Sequence, residues 1–226
     1  MTARLSSKHA AVIASLCAST MIAQQVAGKA TRDAIFLDSF GIAALPTMLI
    51  VAAVFSIAII PLVGRALTAL GPARLVPPLF AASAVLALGE WALVHSASRP
   101  AAVLVYLHIG SMGSVLISWF WSLINERFDP RTAKREIGRI AAGASLGGLI
   151  GGLVAARLAR SLGPSDMLPV LAGLHLCTAG LSLGVRAPDR AAPASAARAR
   201  AARTTAGQSR SRARVVWRSR YLRDIA

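Results

Sequence analysis

The chain has 226 residues, of which 55% are hydrophobic and only 15% are charged, and its mean hydropathy is +0.60. Soluble domains carry about 25% charged residues, so this balance excludes an ordinary soluble domain and indicates a membrane protein. The formal net charge of +16 does not by itself indicate a nucleic-acid-binding protein, because much of it lies in the C-terminal segment.

Six apolar stretches carry few or no charged residues. Each is close to the ~20 residues that a helix needs to cross about 30 Å of hydrocarbon, and they lack the short alternation typical of membrane-spanning strands. The sequence therefore predicts an all-α bundle of six transmembrane helices. The stretches run approximately from Ala10 to Gly28, Gly41 to Val63, Leu75 to Val94, Ala101 to Ile124, Ile140 to Ala156 and Met167 to Val185.

The first stretch follows Arg4 and Lys8, a pattern that also fits a secretory signal peptide. It is long for a signal, Gln24 and Gln25 interrupt it, and no exported soluble domain follows. A membrane span is the preferred interpretation.

Lys29, Arg32 and Asp33 come directly after the first stretch. If the helix continues past Gly28, Lys29 and Asp33 lie one turn apart, with Arg32 beside them on nearly the same face. One positive charge then remains uncompensated, which suits an anionic substrate. The alternative is an outer surface loop with snorkelling side chains.

Glu90, His108 and His175 lie inside predicted spans. Ionisable residues in hydrocarbon are costly, so they usually face a bundle interior or a water-filled cavity. Glu90 and His108 both belong to the predicted outer half, where Glu90 is either a proton-coupled carboxylate or a structural partner of His108 or Arg32. We interpret His175 as a packing residue that is hydrogen-bonded to a neighbouring helix.

The fifth stretch contains G-A-S-L-G-G-L-I-G-G. Small residues repeated every four positions let helix backbones approach closely, so this segment predicts tight helix packing. A nucleotide cradle would need a strand-loop-helix context that is absent. The glycines are Gly143, Gly147 and Gly151, with Gly148 and Gly152 beside them.

The chain divides into a six-helix bundle at residues 1–185, a basic linker at 186–214 and an interfacial segment at 215–226. The linker is rich in Ala, Arg, Ser and Pro, so we expect disorder near anionic headgroups. The last segment fits an amphipathic surface helix or the start of a seventh span. No nucleic-acid-binding module accompanies the charge, so no nucleic-acid partner is expected.

The distribution of Lys and Arg predicts the orientation, because cytoplasmic loops retain positive charge. With the N-terminus inside, only five of the 25 Lys and Arg residues lie on the outer side. Both termini are therefore predicted to be cytoplasmic, in an inner or plasma membrane. The outer five are Lys29, Arg32, Arg99, Arg157 and Arg160.

The predicted cytoplasmic loop from Gly64 to Arg74, G-R-A-L-T-A-L-G-P-A-R, resembles the loop signature of the major facilitator superfamily. Its Gly64, Gly71 and Arg74 match in kind, whereas Thr68 stands where the signature usually has an acid. The resemblance implies the N-terminal half of a twelve-helix transporter built from two six-helix bundles, the second in cis or in a separate chain.

Residues 20–155 also resemble the ATP/ADP translocase family of nucleotide transporters. R-D-A-I-F-L at Arg32 to Leu37, followed by A-L-P at Ala44 to Pro46, is similar to that family's first-helix region, where a K-D-T-L-type sequence precedes a proline. By that resemblance Arg32 takes the position of a substrate-binding basic residue.

A second segment carries the same resemblance. S-W-F-W-S-L-I-N-E-R-F-D from Ser118 to Asp129, followed by A-K-R-E-I-G from Ala133 to Gly138, is similar to the family's F-W-x-x-x-N segment and the stretch after it. By that resemblance Asn125 and Glu126 take the position of polar substrate-binding residues that close the fourth helix.

We expect an integral membrane transporter, or the N-terminal half of one, that moves a small anionic solute such as a nucleotide by alternating access. Its expected partners are that solute, the lipid bilayer and a second six-helix half. The sequence shows no paired Ser/His/Asp set and no cluster of metal ligands, so neither catalysis nor a metal or other cofactor is expected. The alternative is a non-transporting sensor or scaffold that signals through the basic tail.

Overall fold

The computed structural model describes residues 2–161 and 163–185, with side chains from residue 9 onward except at position 159. The described part contains six segments that are long and apolar enough to cross a membrane, which confirms the predicted all-α, six-helix fold. The predicted linker and interfacial segment lie outside the described residues. The helices are α1 (Thr2–Phe40), α2 (Leu45–Leu70), α3 (Pro72–Ser96), α4 (Ser98–Leu107), α5 (Gly113–Arg127), α6 (Pro130–Ser161) and α7 (Met167–Val185).

Short helical turns complete the six segments. A π-helical turn, His108–Met112, joins α4 to α5, so that Ser98–Arg127 is one continuous span. Turns of 3-10 helix at Ile42–Ala44 and Pro164–Asp166 precede α2 and α7.

Glycine breaks the helix at two of the connections. Gly41 and Gly71 have φ angles of 75° and 79°, in the left-handed region that favours glycine. Pro72 then begins α3, at a position where its missing N–H is tolerated. The prediction of a loop from Gly64 to Arg74 is wrong, because α2 continues to Leu70 and the helix is interrupted at Gly71.

Asp129 caps the start of α6. Its Oδ1 accepts hydrogen bonds from the backbone N–H of Arg131 at 3.1 Å and of Thr132 at 3.2 Å, the usual arrangement at a helix N-cap. The hydrogen bond from the Thr132 side chain, followed by the one from its backbone, lowers the pKa of Asp129. The acidic N-cap and Pro130 thus define where this helix begins.

α1 runs through both main hydrophobic clusters of the bundle. Its first half packs in a cluster with Phe80 of α3 and Phe120 of α5, and its second half in a cluster with Val105 of α4 and Leu171 of α7. Its most extensive contacts are with α6 and α7. By contrast, Met48 is the one buried residue of α2, which is described throughout.

α1 and α6 approach each other along a row of small residues. A Cβ added at Gly143, Gly147 or Gly151 would meet the backbone of α1, and at Gly147 it would overlap the carbonyl oxygen of Ser19. The α1 residues in this row are Ser15, Ser19 and Ala23. Gly148 and Gly152 instead face the side chains of Ile22 and Val26. Such a row allows the backbones to touch without an intervening side chain.

Candidate functional site

The charged group of α1 lies on a helix. α1 continues past Gly28 to Phe40, so the surface-loop alternative for Lys29, Arg32 and Asp33 is wrong. Lys29 is exposed, while the side chains of Arg32 and Asp33 are 17% and 46% exposed. The three groups sum to one net positive charge, and the guanidinium of Arg32 is the most enclosed of them.

Three contacts orient Arg32. Its Nε donates a hydrogen bond to Oδ1 of Asp33 at 2.9 Å, and its guanidinium carbon lies 4.4 Å from the centroid of the Tyr106 ring. Its Nη1 lies against Gly110, where an added Cβ would be 2.9 Å away. The hydrogen bond to Asp33 uses one of the five N–H donors of the guanidinium. The cation is therefore fixed in direction and retains donors for a further acceptor.

The contact with Gly110 locates Arg32 along the helix bundle. Gly110 lies near the middle of the 30-residue span Ser98–Arg127. Arg32 lies about 12 Å before the end of α1 at Phe40, given ~1.5 Å of rise per residue. This is a depth at which an isolated cation facing lipid is costly, so polar surroundings or water are expected around it.

The π turn His108–Met112 contacts both Arg32 of α1 and a serine of α2. Gly110 faces Arg32, and the hydroxyl of Ser111 lies 2.8 Å from that of Ser56 in α2. The turn is buried at His108, Ile109 and Ser111. Turns of this type are rare, and they are frequent at functional sites.

Two adjacent amides of α1 lie one turn before the charged group. Gln24 and Gln25 are both buried, and Nε2 of Gln25 donates to Oε1 of Gln24 at 3.3 Å. Gly113, the first residue of α5, leaves the space that the Gln25 amide occupies, since a Cβ there would overlap it. Oε1 of Gln25 is buried with no protein partner. Gln25 therefore places an unpaired polar atom beside the π turn, and leaving such an atom buried without a partner is costly.

Glu90 and His108 form a buried pair, with Oε2 of Glu90 3.0 Å from Nδ1 of His108. Glu90 is 0% exposed and His108 5%. Of the two structural partners considered for Glu90, the structure shows His108 and not Arg32, whose Nε pairs with Asp33. His108 is the first residue of the π turn, so the pair ties that turn to α3.

His175 belongs to the same cluster. It is 2% exposed, and its ring is stacked on that of His108 with centroids 6.3 Å apart and an interplanar angle of 17°. The ring of Phe80 lies 5.9 Å away. Nδ1 of His175 and Oε1 of Glu90 are buried without a protein partner. The hydrogen bond to a neighbouring helix predicted for His175 is thus not made at Nδ1.

Asn125 and Glu126 lie far from Arg32. They are about 22 Å along the span from Gly110, near the end of α5. Oε2 of Glu126 accepts a hydrogen bond at 3.3 Å from the backbone N–H of Ala73, in the first turn of α3. Asn125 is exposed. The structure therefore separates the predicted substrate-binding residues into two places.

An exposed polar stripe connects the two places along α5. Ser114 and Ser118 are exposed at four-residue spacing, and Asn125 continues the same side of the helix. The hydroxyl of Ser118 donates to the carbonyl of Ser114 at 3.1 Å, and that of Ser122 to the carbonyl of Ser118 at 2.9 Å. The stripe lies in a segment that is otherwise apolar enough to span a membrane.

Sequence reasoning missed several groups at this junction. Tyr106 is one of them, and its role comes from the contact with Arg32 on another helix, which no local pattern indicates. Gln24 and Gln25 were noted only as an interruption, although paired amides in a span are themselves unusual. Asp38 was overlooked as well; it is exposed near the end of α1, beyond the Arg32 contact.

The described residues contain no group of three His, Cys, Asp or Glu side chains placed to hold a metal ion. Comparison of the chain with protein-family models, with characterised proteins and with solved structures finds no match. The resemblances to the major facilitator superfamily and to the ATP/ADP translocases therefore rest on the sequence motifs alone.

Proposed function

We propose that the chain is a membrane transporter, or the N-terminal half of one, and that Arg32 binds a small anionic solute. The observation that carries the proposal is the position of Arg32, whose guanidinium lies against Gly110 near the middle of a 30-residue span. Asp33 pairs with Arg32, but Lys29, Arg32 and Asp33 together keep one net positive charge, and an anion that enters from water would compensate it.

The chemistry of the group fits a phosphate or carboxylate. A guanidinium presents a planar fork that makes two parallel charge-assisted hydrogen bonds to such an anion. Tyr106 and Asp33 hold this fork in one orientation, which reduces the entropy lost on binding. Lys29 adds a second, exposed cation one turn away, which attracts anions over a longer range.

The polar stripe of α5 supports a pathway from this cation. Ser114, Ser118 and Asn125 are exposed in the six-helix bundle. The hydroxyl of Ser118 is hydrogen-bonded within the helix, but a Ser114 hydroxyl or Asn125 amide that faces hydrocarbon loses its hydrogen bonds to water. A water-filled cavity between this bundle and a second six-helix half, in cis or in another chain, would solvate them. Rocking of the two halves about the bound solute would give alternating access.

The test is equilibrium binding of labelled ATP, inorganic phosphate and a dicarboxylate to the chain in lipid vesicles. Arg32→Glu reverses the charge at the site and should weaken anion binding at least about tenfold. Arg32→Lys should lose less, because the charge remains while the planar fork is lost.

Arg160→Glu is the matched control, since it makes the same charge reversal at an exposed position near the end of α6. It should leave binding unchanged. Unaltered binding by an inserted Arg32→Glu protein would contradict the site. Absence of binding or uptake of every anion by the unsubstituted chain would contradict the proposed transport and favour the sensor or scaffold alternative.

A further inference from the structure

The buried cluster of Glu90, His108 and His175 is not needed to bind an anion, yet it is built from ionisable groups. All three side chains are at least nine-tenths buried, and they come from α3, the π turn and α7. Two of their polar atoms, Oε1 of Glu90 and Nδ1 of His175, have no protein partner. Simple packing would be served better by apolar residues, since unpaired buried polar atoms are costly.

The total charge of the cluster depends on one proton. With Glu90 ionised and both imidazoles neutral, the cluster carries one negative charge. A proton added to either imidazole makes the total zero, because an imidazolium then balances the carboxylate. A net charge in an apolar interior is costly, and two imidazolium rings with centroids 6.3 Å apart would repel each other. The cluster can therefore bind one proton, but not two.

The polar and charged groups on the neighbouring elements make their contacts outside the cluster, so they do not change the number of protons that it binds. Asp166 accepts a hydrogen bond from Nε1 of Trp91, and Nδ1 of His95 lies 2.8 Å from the Trp91 carbonyl oxygen, both toward the end of α3. α2 presents the hydroxyl of Ser56 to the π turn. From α1, Arg32 reaches the π turn at Gly110.

That last contact links the cluster to the proposed anion site. His108 begins the π turn and Gly110 lies two residues further along it, so the turn contacts Glu90 and His175 at one point and Arg32 at the next. A change in charge at His108 acts on an anion near Arg32 directly through the field. It also acts through the position of the turn itself.

We infer that Glu90, His108 and His175 bind one exchangeable proton, and that the π turn couples its binding to that of an anion at Arg32. The first statement stands independently; the second rests on the proposed function. The bound proton removes the negative charge that would repel the anion. By thermodynamic reciprocity, the anion then raises the affinity for the proton by the same factor, so the two ligands bind together.

The proton site is tested without any anion, by following the histidine side-chain signals of the ¹⁵N-labelled full chain in lipid nanodiscs between about pH 5 and 8. His108 and His175 should change in one shared transition, and Glu90→Gln should displace that transition. The signal of His95, outside the cluster, should be the same in both proteins. Histidines of the cluster that do not titrate, or that titrate identically in Glu90→Gln, would overturn the inference.

His175→Phe provides a second variant in case Glu90→Gln does not insert. It keeps a ring against Phe80 and His108 but removes one proton acceptor, so His108 should then titrate alone at a displaced pH. An unchanged transition at His108 would exclude a shared proton.

The coupling is tested by measuring the binding of labelled ATP as a function of pH. Affinity should fall by up to about tenfold per pH unit above the transition in the unsubstituted chain, and in Glu90→Gln this fall should move to the displaced pH of the histidine transition. The control His95→Gln should keep the slope. ATP binding with no such slope would refute the coupling and leave the anion site standing, whereas no anion binding would refute the proposed function while the histidine titration still decides the proton site.

Discussion

α1 makes two contrasting contacts with its neighbours. Ala23 lies in the row of small residues that touches α6, where backbone meets backbone. Gln25 lies only two residues further, but it points to the other side of the helix, where it meets Gly113 among buried polar groups. The side of α1 formed by Ser15, Ser19 and Ala23 is thus closely packed by residues without ionisable side chains, whereas the amides and Arg32 lie beside the π turn.

The closely packed side of α1 contributes to the stability of the bundle, whereas the polar side carries the candidate functional groups. Close packing of small residues stabilises helix association in lipid, where no hydrophobic driving force exists between helices. Buried ionisable and unpaired polar groups reduce stability, and ionisable residues inside a membrane protein usually belong to a functional site. Mutations on the two sides of α1 should therefore differ in kind.

The largest effect is expected from Gly147→Leu on the packed side. Its side chain must occupy the space of the Ser19 backbone, so the helices have to separate. We expect a loss of at least ~3 kcal/mol in the free energy of unfolding, or failure to assemble, measured by reversible unfolding in mixed micelles. Leu149→Ile, at a side chain that is 70% exposed, is the control and should behave as the unsubstituted protein. Equal behaviour of the two would remove the contrast between the two sides.

The next effect concerns the polar side. Glu90→Met leaves Nδ1 of His108 without its partner and should cost about 1–3 kcal/mol. Adding His108→Phe should recover much of that loss, because replacing both partners by apolar groups of similar shape is nearly neutral or stabilising. The measurement is again unfolding in mixed micelles. Losses that simply add in the double mutant would mean that the pair is not a unit.

A matched pair of glycines gives a smaller, sharper comparison. Gly151→Ala places a Cβ against the backbone of Ala23, whereas at Gly152 the nearest atom, Cγ1 of Val26, would be 3.7 Å away. Both changes gain the same intrinsic helix propensity. Gly151→Ala should therefore be less stable than Gly152→Ala by about 1 kcal/mol, in the range for overpacking. If Gly152→Ala were the less stable of the two variants, the close contact of Gly151 with the backbone of α1 would be contradicted.

The smallest effect is expected where α2 joins the π turn. The hydroxyls of Ser56 and Ser111 lie 2.8 Å apart. A double-mutant cycle of Ser56→Ala and Ser111→Ala should give a coupling energy near ~0.6 kcal/mol, the average for hydrogen bonds between membrane helices. A coupling energy of zero would mean that α2 makes no stabilising hydrogen bond to the π turn.

The sequence alone was enough for the membrane class, the all-α fold and the number of spans. Apolar length and the absence of charge are local properties, and a helix that satisfies its own backbone is the simplest structure to cross a bilayer. The glycine spacing in the fifth span likewise indicated close packing from local pattern. It did not identify α1 as the partner, because a small-residue ridge is compatible with any neighbouring helix.

The tertiary structure decided which polar residues act together. Glu90, His108 and His175 come from α3, the π turn and α7. The resemblance groups Arg32 with Asn125 and Glu126, but these two residues lie about 22 Å along their span from Gly110, which Arg32 contacts. The depth of Arg32 follows from its contact with Gly110, and the π turn breaks the regular 3.6-residue period on which sequence patterns depend. Pairing across helices depends on how each helix is rotated and shifted against its neighbours, and those quantities are set by packing between residues distant in the sequence.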